Sequence, residues 1–371
     1  MTAYLGHTAS FLASAASYMR LPAIASTGIA AVLTSLLYFK QKYASSSFSS
    51  ASSFRKALMR TGAQEIDRSR SSPSTLRTRA SPPPSLIYPS HMPPNSRTDV
   101  PRPSQFGIKD FEELVIPTDD GEKLSAFYIR GPRGGRNSNV TVLMFHGNAG
   151  NIGHRLPIAR VLVNMIGCNV FMLEYRGYGA STGDPDEEGL AIDAQTGLTY
   201  LRDRAETRDH KFIVYGQSLG GAVSIKLVAT NQERGDVAGL ILENTFLSMR
   251  KLIPSVLPPA KYFTLLCHQV WPSESFIPTI TDVPILFLSG LQDEIVPPSH
   301  MRKLYEISTS SNKTWKAFPG GDHNSSVLEE GYFDAIAEFL ADVTDAGSKE
   351  KVEASQVLLS DSGRRVPAGL F

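Results

Sequence analysis

The stretch "IVYGQSLGGAVSI", residues 213–225, places Ser218 two positions from a glycine on each side, where an apolar run gives way to a helical pattern. Lys211 to Tyr215 reads as a buried strand and Ala222 to Ala229 as a helix, so Gly216 to Gly220 must reverse the chain almost without a loop. A Cβ on either flank of such a bend would collide with the neighbouring strand or helix, and the serine between them must sit in strained backbone. The hydroxyl is then held out above the sheet, with the helix N-terminus and the Leu219 amide aimed at a developing oxyanion. Alone, the pentapeptide is a weak signal, because a structural strand-to-helix turn would read the same way. Context has to decide.

A nucleophilic serine needs a base to take its proton, and the base needs a carboxylate to fix its tautomer. Behind a turn of this kind the expected chain order is Ser, acid, His, each on a loop after a strand. "VPILFLSGLQDEIVPPSH" supplies a strand from Pro284 to Leu288 and then a loop carrying Asp293 and Glu294; a helix is expected from Pro297 to Tyr305. "KTWKAFPGGDHNSS" supplies a strand from Thr314 to Phe318 and a loop carrying Asp322 and His323. We read Asp293 as the orienting acid and His323 as the base. Glu294 and Glu243, the latter at the end of "GLILEN", are the competing acids, and Asp322 reads as a loop-shaping residue. "VTVLMFHGNAGNIGHR" gives a strand over 140–146 turning into a helix, so the second oxyanion donor is expected at the backbone amide of Asn148, with Ala149 as the alternative. His146 reads as a buried strut, and His154 has the wrong chain order for a base. The histidines are scattered and no H-E-x-x-H or C-x-x-C occurs, so neither a metal nor another cofactor is expected.

The chain has 371 residues, a formal net charge of +1 and 42% apolar residues, which suits one full domain and gives no basic excess for nucleic acid. Residues 21–39 carry no charge and are long enough to cross a bilayer, so a single-span anchor is expected after an N-terminal segment over 1–20. Residues 40–104 are rich in Ser, Pro and Arg, with eleven Lys and Arg against three acids, and read as a disordered basic linker that favours an anionic cytoplasmic leaflet. That places the catalytic domain in the cytosol at the endoplasmic reticulum or plasma membrane, with a lumenal or mitochondrial setting as the alternative. Cys168 and Cys267 read as free thiols, whereas the sequons at Asn139, Asn312 and Asn324 point toward the lumen. Over 105–344 a hairpin around Asp119-Asp120-Gly121 is followed by alternating strands and helices, which predicts a mostly parallel central sheet covered by helices on both faces. The residues from 345 form a polar tail.

The wording "HGNAGN", "YRGYGASTG", "GQSLGGA", "ENTF", "FLSGLQDEIVPPSHM" and "GGDHN", spread over residues 106–343, resembles the α/β-hydrolase superfamily and within it the bud-emergence type serine hydrolases, the group of α/β-hydrolase domain-containing protein 13. The resemblance implies an α/β-hydrolase fold with the triad on Ser218, Asp293 and His323, a frequent N-terminal span, and a serine hydrolase activity whose near relatives include enzymes removing long acyl chains from protein cysteines. A short lid insert is expected at about 247–282, where Leu257, Phe263, Leu266 and Trp271 are candidates to line an acyl groove. The expected reaction is two-step hydrolysis of an acyl ester or thioester, on a lipid or acylated-protein substrate. A membrane-tethered scaffold that retains the fold, and a peptidase or acyltransferase using the same three residues, are the alternatives.

Overall fold

The structure is a computed structural model that describes residues 87–256, 264 and 267–344. The expected span at 21–39, most of the linker and the tail from 345 lie outside the described residues. The chain divides into two compact units, Gln64–Leu252 with Cys267–Phe371, and Met1–Ala63 with Ile253–Leu266. Of the second unit only residues 253–256, the end of a helix, and residue 264 are described. The first unit holds the sheet and the candidate site.

Strands β1 (Phe111–Pro117) and β2 (Lys123–Ile129) form the predicted antiparallel hairpin, in register from Phe111 opposite Ile129 to Pro117 opposite Lys123. Gly121 takes the left-handed backbone of its turn at φ 95°. Six further strands follow: β3 (Val140–Phe145), β4 (Asn169–Leu173), β5 (Lys211–Gln217), β6 (Val237–Glu243), β7 (Ile285–Gly290) and β8 (Lys313–Phe318). They form one sheet in the order β1-β2-β4-β3-β5-β6-β7-β8, antiparallel at β2–β4 and parallel from β4 to β8. Every residue of β3, β4 and β7 is buried, which is why these segments read as unbroken apolar runs rather than alternating ones.

The helices are α1 (Leu156–Val161), α2 (Glu187–Asp203), α3 (Leu219–Asn231), α4 (Met249–Val256), α5 (Ser273–Phe276), α6 (Pro298–Ile307) and α7, described over 332–344. Asp186 caps α2 by accepting the Gly189 amide at 2.7 Å, with Glu187 and Glu188 in the first turn where the helix dipole favours them. The helix expected after the 140–146 strand is instead a 3-10 turn (Ile152–Arg155), α1 and a π turn (Leu162–Ile166). Gly167, at φ 79°, closes it by donating to the Leu162 carbonyl.

The loose linker predicted as far as residue 104 does not extend that far. Tyr88 is 2% exposed, and its hydroxyl donates to Gln269 Oε1 at 2.6 Å and accepts the Trp271 indole N–H at 2.9 Å. Gly150 donates its amide to the Met92 carbonyl, and the Asn151 side-chain amide donates to the carbonyls of Ser96 and Asp99. One aromatic ring and a set of backbone carbonyls thus seat a stretch whose composition looks polar throughout. Cys168 and Cys267 are both free thiols.

Because β3 and β5 to β8 run parallel, their C-terminal ends open at one edge of the sheet, the usual place for a site in such folds. Replacing Tyr88 by Phe leaves the buried Trp271 N–H unpaired and should cost about 1–3 kcal/mol in urea unfolding. A loss below ~0.5 kcal/mol would mean that this strap contributes packing only.

Candidate active site

Ser218 sits between β5 and α3 with φ 55° and ψ −117°, a conformation that a non-glycine residue adopts only under strain. The flanking glycines are there for space. A Cβ on Gly216 would run into the carbonyl of Gly220, and one on Gly220 into the carbonyl of Phe145 at the end of β3. The turn is secured from β6: the Ser218 amide donates to the Glu243 carbonyl at 2.9 Å, and the Thr245 hydroxyl donates to the Ser218 carbonyl at 2.7 Å. Leu219 opens α3, so its amide is one of the helix-end donors that no intrahelical carbonyl can take.

His323 and Asp293, on the loops after β8 and β7, meet with Nδ1 2.7 Å from Oδ2. Both are buried. The other carboxylate oxygen accepts the amides of Ile295 at 2.9 Å and Val296 at 2.8 Å, which fixes its orientation. With Nδ1–H donating to this carboxylate, the neutral ring keeps its basic lone pair on Nε2. The competing acids sit differently. Glu294 is exposed. Asp322 accepts the amides of Asn324 and Ser325 and shapes the loop. Glu243 is fully buried at the end of β6, with the hydroxyls of Tyr215 and Tyr332 both donating to its Oε2. Desolvation pushes its pKa above the ordinary 4.5, and the two tyrosine hydrogen bonds only partly offset that rise.

His146-Gly147-Asn148 follows β3 and is held by the "YRGYG" loop. The Tyr175 hydroxyl donates to the His146 carbonyl at 3.0 Å, and the Tyr178 hydroxyl to Asn148 Oδ1 at 2.8 Å. Asn148 also donates its side-chain amide to the Ile87 carbonyl. The His146 ring is the expected strut, with Nδ1 2.7 Å from the Gly147 carbonyl and Nε2 3.0 Å from Glu174 Oε1. His154 accepts the Asn151 amide. The Asn148 side chain is thus fastened on two sides. Ala149 follows it in the same loop.

Of the four residues expected to line a groove, Leu257, Phe263 and Leu266 lie outside the described residues. Trp271 is 1% exposed, bonded to Tyr88 and packed into the fold with no open face.

Sequence reasoning missed two bracing residues. Asn244, at φ 46°, accepts the Gly290 amide at 2.8 Å and donates to Ser326 Oγ at 3.0 Å and to the His323 carbonyl at 3.3 Å, tying the ends of β6, β7 and β8 together. Gln217 donates to the same His323 carbonyl at 3.1 Å. The only signal for either was an amide side chain at the end of a parallel strand.

The fold and this strand-end arrangement define an α/β hydrolase. The family described as serine aminopeptidase, S33 (Hydrolase_4) matches residues 136–279. Protein bem46 of Schizosaccharomyces pombe is 46% identical over 258 residues, covering 69% of this chain and 85% of that protein. The uncharacterized membrane protein YNL320W of Saccharomyces cerevisiae is 44% identical over 256 residues, covering 69% and 87%. Among solved structures, an α/β hydrolase from Vibrio vulnificus superposes with a TM-score of 0.58 at 21% identity, covering 72% of this chain and 98% of that one. The chain therefore belongs to the bem46-type family of the α/β-hydrolase superfamily.

Replacing Asn244 by Ala strips the Gly290 amide of its acceptor and frees the His323 loop; the expected loss is on the order of 3 kcal/mol in urea unfolding. For Glu243 the sign follows from its raised pKa. The folded state keeps a proton that the unfolded chain releases near 4.5, so this stabilisation is complete below that pH and lost as pH rises through the folded value. The stability of wild type relative to Glu243→Gln should therefore fall as pH rises above 4.5, until the folded carboxyl ionises. A difference that stays flat with pH would refute the assignment.

Proposed function

We propose that this protein is a membrane-anchored serine hydrolase that cleaves acyl esters or thioesters through an acyl-enzyme intermediate. The observation that carries the reading is the pairing of a strained serine at the β5–α3 turn with an Asp293–His323 contact of 2.7 Å at the same sheet edge. His323 Nε2 takes the proton of Ser218 Oγ as the oxygen attacks the carbonyl carbon, and the carbonyl oxygen becomes an oxyanion facing the amides of Leu219 and Asn148. The imidazolium, stabilised by Asp293, then hands that proton to the departing alcohol or thiol. A water, deprotonated by the same nitrogen, attacks the acyl-serine and releases the acid.

The membrane part of the reading is supported by the 19 uncharged residues over 21–39 and by the relative from Saccharomyces cerevisiae that is named as a membrane protein. An acylated lipid or an acylated protein at that surface is the substrate class that fits the apolar residues of the 247–282 insert. The description of the matching family as an aminopeptidase supports a second reading, amide hydrolysis by the same residues.

Ser218→Ala should abolish labelling by a fluorophosphonate while leaving the unfolding curve in place; labelling that persists would remove Ser218 from the mechanism. Hydrolysis measured on acyl esters, thioesters and aminoacyl amides of increasing chain length should be Ser218-dependent and rise with acyl length. A rate confined to the amides would favour the peptidase. Asp293→Asn should retain the fold and lower kcat by about 10⁴-fold, because the imidazole loses its tautomer.

A further inference from the structure

Arg155 ends the 3-10 turn that follows the oxyanion loop, in the stretch "HGNAGNIGHR". Among the described residues nothing forms a hydrogen bond or ion pair with its guanidinium, and Nε is buried without a partner. Among the same residues Arg97, with Nη1 buried and unpartnered, and Arg250, which donates to the Cys267 carbonyl, likewise face no carboxylate, whereas four other partly buried arginines do. Arg130, Arg176, Arg202 and Arg204 each face at least one carboxylate within 3.0 Å. Glu243, which feels the Arg155 charge, accepts instead from two tyrosine hydroxyls.

Its position is tied to the nucleophile. The empty point where Gly147 lacks a Cβ lies 3.6 Å from Arg155 Nη2, 3.6 Å from Ser218 Cβ and 3.5 Å from Gln217 Oε1. A cation that leaves water without a protein anion is costly, and a guanidinium fork matches a carboxylate or phosphate with two parallel hydrogen bonds. We propose that Arg155 is an anion-binding element of the acyl site, taking a carboxylate or phosphate group that the substrate carries close to its scissile carbonyl. This rests on the hydrolase reading above and narrows its substrate to anionic acyl compounds.

The test uses the full chain carrying Ser218→Ala, which binds an ester without consuming it. Calorimetry compares the p-nitrophenyl monoester of glutarate, its neutral glutaramate isostere and the phosphonate of the same length. The anionic esters should bind about tenfold tighter than the neutral one, the gain of one charge-assisted hydrogen-bonded pair. Adding Arg155→Gln should close that gap, and adding Arg155→Lys should retain part of it, as a point charge without the fork. Equal binding of charged and neutral esters to protein that keeps Arg155 overturns the proposal, and this comparison stands even if the Gln variant fails to fold. So does an Arg155→Gln effect that weakens all three esters alike, which would make Arg155 a structural or oxyanion-facing residue. Tighter binding of the phosphonate points to a phosphorylated acyl lipid, and tighter binding of the carboxylate to a monoester of a dicarboxylic acid. Wild-type turnover is read separately. Discrimination without Ser218-dependent turnover would sink the hydrolase reading and leave the anion site, whereas turnover without discrimination would do the reverse.

Discussion

The backbone of Ser218 is the constraint from which the rest of the site follows. A non-glycine residue at φ 55° and ψ −117° costs about 1–3 kcal/mol, and it persists only because its surroundings over-determine it. Helix α3 starts one residue later and lies so close to β5 and to the ends of β3 and β6 that Gly216, Gly220 and Gly221 have no room for a Cβ. The amide of Ser218 is taken by β6 and its carbonyl by Thr245, so the strained residue is tied to the strand beside it at both of its polar backbone groups. Relaxing the turn would break these bonds and unseat the helix.

Around that turn, order comes from buried polar side chains that each serve two loops. Asn244 joins the ends of three strands, and Tyr175 and Tyr178 hold the loop after β3 through its carbonyls and the Asn148 amide. In a low-dielectric interior such bonds are strong when satisfied and expensive when broken, so the loops gain fixed positions without regular structure of their own. The segment from residue 87 adds a further fastening by accepting from Asn148, Gly150 and Asn151. The loop after β3 is thereby held both from the sheet and from the chain that leads into the domain.

Much of this was legible in the amino-acid order. Unbroken apolar runs marked strands buried on both faces, the Asp119-Asp120-Gly121 turn marked the hairpin, and glycines around Ser218 marked the bend. These are local signals, since the period, the turn residue and the missing side chain act on their own stretch of chain. The order Ser218, Asp293, His323 on loops after parallel strands was readable as well, because right-handed crossovers leave those loops one common edge.

What the tertiary structure alone decided was partnership. Nothing local distinguishes Asp293 from Glu294 or Glu243; only packing puts the first against His323, leaves the second exposed and buries the third under two tyrosines. Tyr88 looked like part of a polar linker until a tryptophan 183 positions away supplied its hydrogen bond. For Arg155, only the three-dimensional arrangement shows Nη2 and Ser218 Cβ each 3.6 Å from one point beside Gly147. Sequence determines what each residue offers, a charge, a donor or a missing Cβ. Desolvation and distance determine which offers are taken up, and both are set by segments far apart in the chain.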